Sequence, residues 1–199
     1  MIKIKMCGMC RNEDIEYANK ILPEFIGYIF WEKSRRFITP EKAEKFTEIL
    51  DKRIIPVGVF VDADIEYISD IAEKQTIKII QLHGNENDDY INNLRKRLNI
   101  PIIKAFRIKN REDIENAEKS QADFILLDSG YGSGELFNHE LIDIKRPYFL
   151  AGGLDPENIG QILKNITPYA LDVSSGIETD GVKDFNKMKA FADAGRKIL

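Results

Sequence analysis

Tyr148-Phe149-Leu150-Ala151-Gly152-Gly153-Leu154-Asp155-Pro156-Glu157 is the stretch from which the fold follows. Four apolar residues read as a strand, and two glycines end it. Asp155 then supplies an N-cap, Pro156 fits the first helical position, and Glu157 puts an acid in the first turn. Strand, polar loop and helix start are complete within this one segment.

The same unit recurs in both directions. Further apolar, β-branched runs stand at 2–7, 25–30, 54–61, 77–82, 102–106, 124–128 and 170–173. Charged stretches with helical spacing separate them, at 13–21, 40–50, 65–74, 88–98, 111–119, 156–163 and 184–198, with a shorter candidate within 138–144. Thr39-Pro40-Glu41 repeats the cap, proline and acid pattern, and Asn110 and Asp184 are further caps. Strict alternation implies a parallel sheet. Eight strands, each followed by a helix or loop, predict an α/β fold of the closed (β/α)8 type, the TIM barrel. The 199 residues lie near that fold's lower limit of about 200. An open doubly wound sheet is the alternative. No linker or shift of composition divides the chain, so residues 1–199 are expected to form a single domain.

Composition narrows the function. With 43% hydrophobic and 31% charged residues the chain reads as soluble and globular. A net charge of −4 with both signs interspersed argues against a nucleic-acid surface. Arg95-Lys96-Arg97, the densest basic cluster, reads as a solvated helix face. No apolar run approaches the roughly 18 residues of a membrane span, and the N-terminus lacks a signal-peptide core. Two cysteines three positions apart cannot frame a secreted domain, so the cytoplasm is the expected compartment.

In a barrel, function gathers at the C-terminal ends of the strands. Those ends carry Cys7-Gly8, residues 31–36, Asp62, His83-Gly84, Arg107, Asp128, Gly152-Gly153 and Ser174-Ser175-Gly176. The list is polar and glycine-rich, although the strands themselves are apolar. After the last two strands, glycines allow close backbone approach to an anion, and a short helix after Ser174 would add amide donors. Phosphate is the ligand this pattern suits; tight turns alone are the plainer reading. Asp128 ends a wholly apolar strand, where partial desolvation raises a carboxyl pKa and suits a general acid; a loop salt bridge is the plainer reading. Asp172 reads as a support for the eighth loop. One of Arg35 and Arg36 is placed to fork onto a substrate carboxylate, surface charge being the plainer reading. Cys7 and Cys10, the only cysteines, fit a redox pair, a metal site, or a single reactive Cys7.

Taken together, these strings resemble phosphoribosylanthranilate isomerase, a barrel of tryptophan biosynthesis. The resemblance runs through Lys5-Met6-Cys7-Gly8, Gly27-Tyr28-Ile29-Phe30, Lys33-Ser34-Arg35-Arg36-Phe37-Ile38-Thr39-Pro40-Glu41 and Val57-Gly58-Val59-Phe60-Val61. It continues through Ile80-Gln81-Leu82-His83-Gly84, Leu126-Leu127-Asp128, residues 151–158 and Asp172-Val173-Ser174-Ser175-Gly176. It implies an Amadori rearrangement of N-(5-phosphoribosyl)anthranilate to 1-(2-carboxyphenylamino)-1-deoxyribulose 5-phosphate. By that resemblance Cys7 is the general base and Asp128 the general acid. Arg36 holds the anthranilate carboxylate, and Gly152, Gly153, Ser175 and Gly176 hold the phosphate. It further implies a small phosphorylated substrate, no metal or other cofactor, and a monomer or homodimer. His83 matches the pattern and is expected to support the site, not to carry a proton. The chain departs from the family at Tyr131-Gly132-Ser133-Gly134 and Asn138-His139, where a fuller glycine loop and Asp-Trp are usual, and at Cys10, where threonine is common.

Rival readings explain less. A thiol–disulfide exchanger built on Cys7 and Cys10 leaves the other strand ends without a role. A zinc site of Cys7, Cys10, His83 and His139 lacks the usual histidine spacing. The histidine-pathway sugar isomerase typically has aspartate at the place of Cys7. Indole-glycerol-phosphate synthase relies on strand-end lysines, for which only Lys104 is near. A barrel that binds a phosphorylated ligand without catalysis would not need both Cys7 and Asp128.

Overall fold

In a computed structural model, which describes residues 2–128 and 144–197, eight parallel strands close into a barrel in sequence order. The strands are β1 (Lys3–Cys7), β2 (Phe25–Ile29), β3 (Ile55–Phe60), β4 (Ile79–Leu82), β5 (Ile102–Arg107), β6 (Phe124–Asp128), β7 (Tyr148–Ala151) and β8 (Ala170–Val173). Pairing of β1 with β8, Lys5 opposite Asp172, closes the ring and excludes the open sheet. The helices are α1 (Asn12–Ile21), α2 (Pro40–Ile49), α3 (Ile65–Glu73), α4 (Asp88–Arg95), α5 (Arg111–Lys119), α6 (Ile159–Ile162) and α7 (Phe185–Lys197).

The period-two alternation of the strands divides the core in two. Ile4, Met6, Ile26, Tyr28, Ile80, Leu82, Ile125 and Leu127 pack outward with Ile15, Phe46, Ile68, Leu94 and Phe191 of the helices. The alternate residues, among them Phe25, Val57, Ile103, Leu126, Phe149 and Ala170, form a second cluster inside the barrel. Its floor is aromatic: Phe149 lies 5.5 Å from Phe25, 5.8 Å from Phe124 and 5.7 Å from Tyr169, between ring centroids. A filled floor leaves the C-terminal mouth as the open end.

Most helix starts follow their caps. Thr39 Oγ1 accepts from the Lys42 amide ahead of Pro40, and Asn110 with Asp113 forms a reciprocal capping box. The expected helix over 156–163 is shorter, only Ile159–Ile162. Asp155 Oδ1 accepts from both the Glu157 and Asn158 amides at 2.8 Å, the bonds expected of an N-cap, but the first turn after it stays a turn and the helix proper begins at Ile159. Between β8 and α7 the chain forms the short helix expected after Ser174, a 3-10 turn over Ser175–Ile177, and then an unexpected hairpin, β9 (Glu178–Thr179) with β10 (Val182–Lys183). The loop at 131–136 and, but for Ile144, the helix within 138–144 fall outside the described residues.

Candidate active site

A cavity of about 470 Å³ opens at the barrel mouth, lined by Cys7, Arg35, Arg36, Gln81, His83, Asp128, Gly152, Gly153, Asp172, Ser174 and Ser175, with apolar neighbours. All but one of the expected site residues meet there. Gly176 is the exception: it packs behind the wall, where a Cβ would collide with the Leu154 carbonyl oxygen. It therefore lets the seventh and eighth loops touch backbone to backbone. Gly152 (φ 96°) and Gly153 (φ 62°) both take left-handed backbone, which turns the seventh loop at the cavity edge.

Cys7 reaches the cavity because β1 alternates, and Lys5, two residues below it, lies on the same inward face beneath the cavity. Lys5 is fully buried, with Nζ 2.9 Å from both oxygens of Asp172. Burial pushes the Cys7 thiol up, Asp172 adds to this, and the charges of Lys5 and Lys183 pull it back in part. The eighth loop is tied to the base: Ser174 Oγ donates to the Cys7 carbonyl at 3.0 Å, and Lys183 Nζ donates to the Ser174 carbonyl at 2.9 Å.

Asp128 ends β6, a strand that does not neighbour β1 in the barrel, so acid and base candidates enter the cavity from separate walls. Its side chain is 27% exposed, and Oδ2 lies 3.3 Å from His83 Nε2. Gln81 Nε2 lies 2.9 Å from the other ring nitrogen of His83. Each arginine of the second loop reaches Glu178: Arg36 through Nε (2.6 Å) and Nη2 (2.8 Å), Arg35 through Nη2 at 2.7 Å. The Arg36 side chain is 18% exposed and that of Arg35 59%, so Arg36 is the more desolvated cation.

Other strand ends serve the scaffold. Asp62 accepts from the Asn85 amide at 2.6 Å, and Lys104 Nζ is held by the Gly84 carbonyl and Glu86 outside the cavity. Among the described residues, no group of three or more His, Cys, Asp or Glu side chains is placed to hold a metal ion, and no helix is long and apolar enough to cross a membrane. His139 of the zinc reading lies outside the described residues.

Lys5, Glu178 and Lys183 were missed in the sequence. Lys5 shares the face of Cys7 by simple alternation, a usable signal. Thr179-Asp180-Gly181-Val182 is a strong two-residue hairpin signal, borne out by left-handed Asp180 (φ 54°) and Gly181 (φ 81°).

Fold and site together define a (β/α)8 barrel enzyme with a glycine- and serine-walled pocket, a forked cation, and a thiol and carboxyl on separate walls. Residues 4–194 match the family model for N-(5'-phosphoribosyl)anthranilate (PRA) isomerase, and the chain belongs to that family. It is 41% identical over 206 residues to the N-(5'-phosphoribosyl)anthranilate isomerase of Thermoanaerobacter sp. (strain X514), covering all of both chains. The phosphoribosyl anthranilate isomerase of Thermotoga maritima superposes with a TM-score of 0.91 at 34% identity, covering 99% of this chain and 100% of that one. A phosphoribosyl anthranilate isomerase in complex with reduced 1-(o-carboxyphenylamino)-1-deoxyribulose 5-phosphate gives 0.89 at 34% identity and the same coverage. The activity is the aldose–ketose isomerisation of N-(5-phosphoribosyl)anthranilate in tryptophan biosynthesis.

Proposed function

We propose that Asp128 and Cys7 carry the proton transfers of this isomerisation. The carboxyl of Asp128 donates its proton to the furanose ring oxygen. The bond from that oxygen to C1 breaks, and the nitrogen lone pair forms the iminium. The Cys7 thiolate then takes the proton from C2, giving the enolamine, which tautomerises to the ketone. Burial disfavours a resting thiolate, and the iminium charge beside C2 offsets that cost at the step that needs it. Lys5 and Lys183 help in the same sense. His83 supports Asp128 and is not the proton carrier. Gly152, Gly153 and Ser175 take the phosphate with backbone and hydroxyl donors, Gly176 shaping the loop behind them, and Arg36 takes the anthranilate carboxylate.

The observation that carries this reading is the convergence of Cys7, Asp128, Arg36 and both loops on one cavity. The enzyme works as a single-domain monomer or homodimer on a small phosphorylated substrate in the cytoplasm, with no metal or organic cofactor and no nucleic-acid partner. The test follows the loss of fluorescence of freshly made phosphoribosylanthranilate. Cys7→Ser and Asp128→Asn are expected to lose on the order of 10²–10⁴ in kcat, while Cys10→Ser stays within about twofold of wild type. Full activity in Cys7→Ser, or redox-dependent activity lost in Cys10→Ser, would overturn the assignment.

A further inference from the structure

The hairpin after β8 brings a buried carboxylate to the arginine at the cavity wall. Glu178, 8% exposed, opens that hairpin, and its two oxygens span Nε and Nη2 of Arg36 as a fork. The same carboxylate accepts from Lys183 Nζ at 2.7 Å, and Lys183 in turn holds the Ser174 carbonyl of the eighth loop. On its other side the Arg36 stem runs against Gly8, where any Cβ would collide with Arg36 Cδ. The guanidinium is thus held at stem and head by residues from the first and eighth loops.

Two effects of Glu178 on an anionic ligand oppose each other. Its charge repels a carboxylate, so by Coulomb's law alone its removal tightens binding. Its fork holds a long side chain in one orientation, so its removal returns rotamer freedom that binding must then quench. Arg35, Arg36 and Lys183 surround this one carboxylate and leave a surplus of positive charge, which blunts the repulsion. Orientation therefore dominates.

We propose that Glu178 is a positioning residue: by clamping Nε and Nη2 it orients Arg36 toward the carboxylate of the aryl amine and sets the preference for an ortho-carboxylated substrate. The proposal rests on the role given to Arg36 above.

The test measures calorimetric Kd values for two probes, reduced 1-(o-carboxyphenylamino)-1-deoxyribulose 5-phosphate and its counterpart lacking the carboxylate. Wild type is expected to prefer the carboxylated probe by about 10–100-fold. Arg36→Met abolishes that preference; if it survives there, the role of Arg36 itself falls. Glu178→Gln is expected to cut the preference by about tenfold while the plain probe keeps its Kd within about twofold. Glu178→Asp, which keeps the charge but shortens the reach, should fall between, and it decides by the same ratio if Glu178→Gln does not fold. An unchanged or larger preference in the Glu178 variants would overturn the proposal, and so would equal weakening of both probes, the mark of a merely structural role.

Discussion

Lys5 carries a charge into the barrel interior, and its neighbours decide what that charge does. Burial alone would lower its pKa, but Asp172 and Cys7 outweigh burial and hold it above the ordinary lysine value. The resulting cation is one of the few forces that favour the Cys7 thiolate. Lys5→Met, made with Cys10→Ser so that one thiol reports, should move the pH midpoint of Cys7 alkylation up by roughly one unit. It should also cost about 3–5 kcal/mol of stability, because Asp172, whose pKa burial already raises, is left buried without its cation. An unshifted alkylation midpoint in folded protein would show that the thiol does not feel Lys5. Asp128 was legible in the sequence because it ends an apolar strand, where a polar residue stands out, and Cys7 because it ends a strand as one of only two cysteines. Lys5 was legible only in part: alternation puts it on the face of Cys7, but its partner Asp172 comes opposite it only when the ring closes.

Among the elements, the two loops after β7 and β8 behave as one. Gly176 sits against the Leu154 carbonyl, so the eighth loop cannot accept a side chain without leaving the seventh. Gly153 is the contrasting case: a Cβ there would meet nothing within 4 Å, and only its φ of 62° resists substitution. Gly153→Ala should therefore cost about 1 kcal/mol with a small change in KM. Gly176→Ala should raise KM for phosphoribosylanthranilate and Ki for inorganic phosphate together, by about tenfold, with a smaller change in kcat. A Gly176→Ala enzyme with unchanged Ki for phosphate would remove the backbone contact from the phosphate site. These loops were legible because glycine pairs and serines at strand ends have few other uses. The start of α6 was legible only in part: Asp155 makes the two amide bonds of an N-cap, yet the helix proper begins at Ile159, about one turn later. Asp180-Gly181 was readable as a hairpin, but nothing local says that its first residue, Glu178, reaches Arg36 on the far side of β1.

Over the whole molecule, folding raises the pKa of several buried or half-buried groups. Burial pushes Tyr28 above its ordinary value, and Tyr90 and Tyr148 up to about 12, from 10.0. Burial also raises the Cys7 thiol, and Lys5 is raised by its anionic neighbours. A group whose folded pKa is raised contributes stability in full below its unfolded pKa and loses it as pH climbs through the folded value. For the tyrosines that window opens near pH 10 and extends to about 12 and beyond. Glu178 runs the other way: burial would raise it, but Arg36 and Lys183 hold it below the ordinary glutamate value, so its contribution is lost only in acid. Tyr28 is the cleanest probe, because it is fully buried in the outer core and its hydroxyl has one weak bond, from Thr47 Oγ1 at 3.4 Å. Tyr28→Phe should leave stability in urea at pH 7 within about 1 kcal/mol of wild type. The same change should raise the alkaline unfolding midpoint by about half a pH unit, because the phenolate that unfolding releases no longer exists. Tyr148→Phe should act in the same direction. Circular dichroism and tyrosinate absorbance, followed together through the alkaline titration, check this: if neither variant moves the midpoint, exposure of buried phenols is not what opens the barrel at high pH.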